Sequence, residues 1–144
     1  MGIAFHFCHQ GYFAEVVKVK VEPDGQVRPL KVWVAADVGS TIVNPSGALN
    51  QVQGSVLDGL SSALHQAVNI EGGAAKEGNF NTYRLMRISE APEVEVKFLK
   101  TAYPPTGLGE PALPPAIPAL TNAVFAATGK RVRSLPIQPQ MLKA

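Results

Sequence analysis

Two side chains carry most of the chemistry this sequence could perform. Glu110 stands between Gly107-Leu108-Gly109 and Pro111, just ahead of a long apolar run. A carboxylate pinned there has little freedom, and burial among its neighbours would raise its pKa toward the range of a general base. An acid at a helix start has a simpler use, a dipole contact of about 0.3–1 kcal/mol. The residues alone leave both readings open. Gln51 falls in the first two turns of an amphipathic pattern, just before Gly54. Its amide could hold a heterocycle against the N-terminal half of a helix, or lie on a solvated face.

The remaining chemically able residues point to structure. His6, His9 and His65 are too scattered for a metal site. His6 and His9, three apart in an extended-looking segment, would face opposite ways. A single cysteine, Cys8, rules out an internal disulfide framework, offers no zinc pattern and reads as a small buried residue. Asp24 belongs to a turn and Asp58 to the polar side of a helix. With a net charge of +2 and no basic run denser than Lys130-Arg131-Val132-Arg133, a nucleic-acid partner is excluded.

These residues need a scaffold, and 144 residues suffice for a single domain, 1–144, with a real core. At 46% hydrophobic and 17% charged, the composition is globular. No segment approaches the roughly 20 apolar residues that span a bilayer. The N-terminus is strand-like and lacks a signal-peptide pattern, which leaves cytoplasm and periplasm both open.

Val17, Val19 and Val21 alternate with Lys18, Lys20 and Glu22, and Leu30, Val32 and Val34 resume the alternation after Pro23-Asp24-Gly25. That is a β-hairpin, with Pro29 marking an edge or bulge. Leu49, Val52, Val56, Leu60 and Leu64 repeat at helical spacing behind an Asn44 cap and Pro45. Gly54 and Gly59 inside this helix predict a close backbone neighbour. Val94, Val96 and Phe98 form a further strand. A second helix follows, with Pro114, Pro115 and Pro118 at its entry and Gly129 at its C-terminal cap. The order β-β-α-β-α, with antiparallel pairing, describes an α+β fold.

GLGEPALPPAIPALTNAVFAATGKRVRSLPI resembles the C-terminal signature of the xanthine oxidase and aldehyde oxidase family of molybdenum hydroxylases, and VWVAADVGSTIVNPSGALNQVQGSVLDGL resembles the segment preceding it there. With the loop NFNTYRLMR, the flavour is that of the isoquinoline 1-oxidoreductase large subunit. The resemblance implies the C-terminal portion of a molybdenum-cofactor-binding domain. It places Glu110 as active-site base, Gln51 as hydrogen-bond partner of the pterin, and Gly109 where backbone passes close to the metal. It leaves Asn44 and Gly54 as architecture and assigns no residue of this chain as a metal ligand.

It further implies a molybdenum–molybdopterin cofactor in the cytosine dinucleotide form. The reaction would be hydroxylation of N-heteroaromatics or aldehydes with water as oxygen source. The implied partners are the rest of the large subunit on the N-terminal side and a small subunit carrying the iron–sulfur clusters. Alone, such a chain would hold half a pocket, be inactive and expose an interface open to self-association. The competing expectation is a non-catalytic truncated or split domain that only packs against partner subunits.

Overall fold

The computed structural model describes residues 1–143. Strands β1 (Gly2–Cys8), β2 (Gly11–Val21) and β3 (Val27–Asp37) lead into helix α1 (Pro45–Leu64). A minimal hairpin, β4 (Ile70–Glu71) with β5 (Ala74–Ala75), precedes β6 (Glu93–Leu99), helix α2 (Leu113–Thr128) and a 3-10 turn at Pro139–Met141. The main sheet has the order β1-β2-β3-β6. The α+β class stands, with one more long strand at the front than the valine alternation marks.

The antiparallel expectation holds for β1 with β2 and β2 with β3, but β6 runs parallel to β3, pairing Lys31 with Glu93 through to Asp37 with Leu99. The cause lies in α1. Its 20 residues cover about 30 Å at 1.5 Å each. That carries the chain back toward the start of β3, so β6, the next strand to join the main sheet, runs the same way. Lys31 Nζ then bridges Glu93 Oε1 and Glu95 Oε2, each at 2.9 Å, and Gln53 Nε2 donates to the Val94 carbonyl at 3.2 Å.

Pro29 does mark a bulge. Lys18 pairs with Lys31 but Val19 with Pro29, so Leu30 is the extra residue. The bulge reverses the parity of the strand. Pro29 turns inward and Leu30, expected on the dry face, is exposed.

The core lies between the sheet and the helices, where Phe13, Val17, Val32 and Val34 meet Val52, Val56 and Leu60 of α1 and Leu120 and Val124 of α2. Leu49, read as part of the α1 stripe, is exposed. Asn44 Oδ1 accepts from Gly47 N–H at 2.9 Å, and Gly129 ends α2 at φ 72°. Pro118 lies inside α2 rather than in its first turn.

Of the two helix-interior glycines, only Gly59 has the expected close neighbour. A Cβ there would come within 2.9 Å of the Leu113 carbonyl oxygen, whereas at Gly54 nothing lies within 4 Å. Gly59→Ala should therefore destabilise the chain by about 1 kcal/mol or more despite its better helix propensity. Gly54→Ala should stabilise it by about 0.5–1 kcal/mol. Thermal melts of the two variants should move in opposite directions.

Candidate functional site

The loop from β6 to α2 is anchored along its length. Asp37 Oδ1, at the end of β3, accepts from Thr101 Oγ1 at 2.7 Å and from Gly39 N–H at 3.1 Å. Ser40 N–H donates to the Tyr103 carbonyl at 2.9 Å, and Thr106 N–H to the Val38 carbonyl at 3.0 Å. Leu108 packs on the core, Pro111 and Ala112 are buried, and Leu113 N–H donates to the Glu110 carbonyl at 3.0 Å.

Glu110 therefore has a fixed backbone, but its side chain is 77% exposed. The expectation of a carboxylate buried by its apolar flanks is not met within this chain. Leu108, Pro111 and Ala112 take the inward places and leave the acid the outward one.

Gln51 is also exposed, in the second turn of α1. One turn later on the same helix face, Ser55 Oγ donates to the Gly109 carbonyl at 3.3 Å. The N-terminal half of α1 and the Gly107–Glu110 segment thus meet at one end of the molecule. Beyond Gly54 and beyond Gly109 nothing lies within 4 Å of where a Cβ would stand.

The β1–β2 hairpin tip reaches this end too. Cys8 pairs with Gly11, leaving a two-residue turn in which His9 and Gln10 both have positive φ, 51° and 66°. Such turns favour Asn-Gly. A Cβ built on Gly107 would lie 3.5 Å from His9 Cβ. The ring reaches across, with Nε2 3.8 Å from Glu110 Oε1 and Nδ1 3.2 Å from Cys8 Sγ. His9, grouped by sequence with His6 and His65 as structural or surface, is the histidine that meets the candidate base. No local pattern announces a contact between residues 9 and 110.

A second acid lies in the core. Glu15, opposite Ala4 and Val34 in the sheet, is fully buried with both carboxylate oxygens unpartnered. Burial pushes its pKa up to about 8.

A cavity of about 810 Å³ lies at the other end of the strands, around the β2–β3 turn, and is lined in part by Glu22, Arg28, His65, Arg84, Glu90 and Pro139. Burial, then the Arg84 charge, lowers the pKa of His65 there. Among the described residues no three His, Cys, Asp or Glu side chains are grouped to hold a metal ion. No helix of the described residues is long and apolar enough to cross a membrane.

Residues 3–92 match the family described as molybdopterin cofactor-binding domain, a span that includes Gln51 and ends before Glu110. The chain is 40% identical over 115 residues to a membrane-bound aldehyde dehydrogenase [pyrroloquinoline-quinone] of Gluconacetobacter polyoxogenes, covering 80% of this chain and 15% of that protein. It is 34% identical over 111 residues to isoquinoline 1-oxidoreductase subunit beta of Brevundimonas diminuta, covering 77% of this chain and 14% of the subunit.

Among solved structures, the aldehyde oxidoreductase of Desulfovibrio desulfuricans ATCC 27774 superposes with a TM-score of 0.82 at 25% identity, over 92% of this chain and 15% of that one. The chain spans about 15% of the length of each of these relatives. It belongs to the molybdopterin cofactor-binding domain family, within the molybdenum-dependent oxidoreductases that include xanthine dehydrogenase and isoquinoline 1-oxidoreductase.

Proposed function

We propose that this chain forms one wall of the cofactor pocket of a molybdenum hydroxylase large subunit, with Glu110 as the base. The carrying observation is the junction of the Gln51 helix with the Glu110 loop through Ser55 and Gly109. The residues fit a large flat group. Gly54 and Gly109 leave the backbone bare, with open space beyond each Cα. The exposed Gln51 amide offers a donor and an acceptor to a pterin edge. A metal carried by its pterin needs no ligand from this wall, so Glu110 stays free for proton transfer.

When bound, the cofactor in its cytosine dinucleotide form supplies Lewis acidity and the two-electron redox step. The chain's own part is to orient and to deprotonate. Gln51 holds the pterin, Gly109 lets backbone approach, and a Glu110 carboxylate oxygen takes the proton of the water that becomes the inserted oxygen. The rest of the large subunit closes the pocket and excludes water. Electrons leave through a small iron–sulfur subunit. The substrate class is N-heteroaromatic or aldehyde, in keeping with the names of the relatives.

In the complete subunit, Gln51→Ala should lower cofactor affinity about tenfold, the scale of losing one orienting hydrogen bond. Molybdenum-to-protein ratio and pterin extraction after dialysis measure it. One relative is named for pyrroloquinoline quinone; recovering that quinone and no molybdenum from the wild type would overturn the assignment. The 144-residue chain alone should carry no molybdenum and turn nothing over. Stoichiometric metal with activity would refute the shared pocket. The rival reading, a domain that only packs against partner subunits, draws on the exposed apolar row Ile3, Phe5, Phe7 and Tyr12. That row is equally an interface for the rest of the subunit or for self-association of the isolated chain, and cofactor content decides between the readings.

A further inference from the structure

We propose that His9 is a positioning residue for the Glu110 carboxylate, holding one of its oxygens so that the other is presented for proton transfer. This rests on the reading of Glu110 as base. The two ring nitrogens of His9 are chemically distinct. Cys8 Sγ lies 3.2 Å from Nδ1. A thiol is a weak donor. Donating to Nδ1, it favours the neutral tautomer with the hydrogen on Nε2. In the imidazolium form Nε2 carries a hydrogen as well. In both forms an N–H faces Glu110 Oε1, 3.8 Å away.

That distance is too long for a direct hydrogen bond and suits a bridging water or a small rotation of either side chain. The ring is placed by more than its own rotamer. Its Cβ packs over Gly107, and the hairpin closes on Cys8 and Gly11 with both turn residues at positive φ. Each such residue carries a cost that Asn-Gly would lower.

The two side chains are half or more exposed, so the pair adds little stability. Its value is geometric. Glu110 has a fixed backbone but a free side chain, and a carboxylate that must meet a reacting proton loses rate when it swings. Occupying Oε1 from the His9 side leaves Oε2 as the atom that accepts the proton.

The test has two arms. In the 144-residue chain, ring nitrogen-15 spectra of His9 should change on Glu110→Gln, and Cys8→Ala should shift the tautomer balance. In the complete, cofactor-loaded enzyme, His9→Ala should lower kcat about tenfold with KM little changed, an effect on the scale of mispositioning. His9→Gln, which keeps an N–H donor at similar reach, should recover most of that loss. Unchanged His9 ring shifts in Glu110→Gln, or equal losses in His9→Ala and His9→Gln, would overturn the proposal. If Glu110→Gln abolishes turnover while His9→Ala is neutral, the base survives and only the positioning role falls. If Glu110→Gln keeps turnover, both fall.

Discussion

Glu110→Gln in the complete, metal-loaded enzyme should lower kcat by about 10²–10⁴-fold, the usual worth of a general base, while metal and pterin content stay at wild-type levels. The amide keeps the length and planarity of the carboxylate and cannot accept the proton. Folding should be indifferent to the change, because the side chain is exposed and the segment is held by buried Pro111 and Ala112 and by backbone hydrogen bonds from Thr106 and Leu113. A thermal midpoint close to wild type would confirm that, since surface substitutions of this kind fall within about 0.5 kcal/mol. Loss of rate with cofactor retained assigns the acid to proton transfer. Near-normal turnover removes it.

Glu15→Met should stabilise the isolated chain by about 3 kcal/mol at pH 7. Glu15 is fully buried between Phe13 and Val17 on the core side of β2, with no partner for either oxygen. The folded acid titrates near 8 against an ordinary value of 4.5. Between those values the folded chain holds a proton that the unfolded chain has released. Wild-type stability should therefore fall as pH rises from about 4.5 to about 8 and level off above. Methionine has a similar length, no charge and no polar atom left unsatisfied, so the variant should lack this slope. Urea denaturation at pH 5 and pH 8 measures it. Parallel pH profiles for the two proteins would show that Glu15 finds solvent or a partner in solution.

The buried position of Glu15 is legible in the sequence. Strict alternation carried back from Val17 puts residues 15 and 13 on the dry face, where Glu15 and Phe13 lie. An alternation read only from Val17, Val19 and Val21 stops short of the acid. Local rules served well elsewhere: Asn44 and Gly129 cap as their types demand, and Pro29 sits at a bulge. What local rules could not supply was three-dimensional direction. Leu30 faces outward because one extra residue inverts the parity of the strand. The direction of β6 depends on where the long connection through the 20-residue helix α1 lands.

Glu110 was expected to be dry because its sequence neighbours are apolar, yet those neighbours are what fill the interior and turn it outward. The approach of Gln51's helix to the Glu110 loop, and of His9 to Glu110, joins residues far apart in sequence. The family resemblance implies a shared site for the first pair and is silent on the second.

The most direct test is a crystal structure of the complete molybdenum-loaded subunit. The account predicts that Glu110, open to water in this chain, faces into a closed pocket within hydrogen-bond reach of the metal's coordination sphere. The Gln51 amide should be bonded to the pterin. A loaded structure in which the Glu110 carboxylate still points to bulk solvent, with Gln51 turned away from the cofactor, would contradict it.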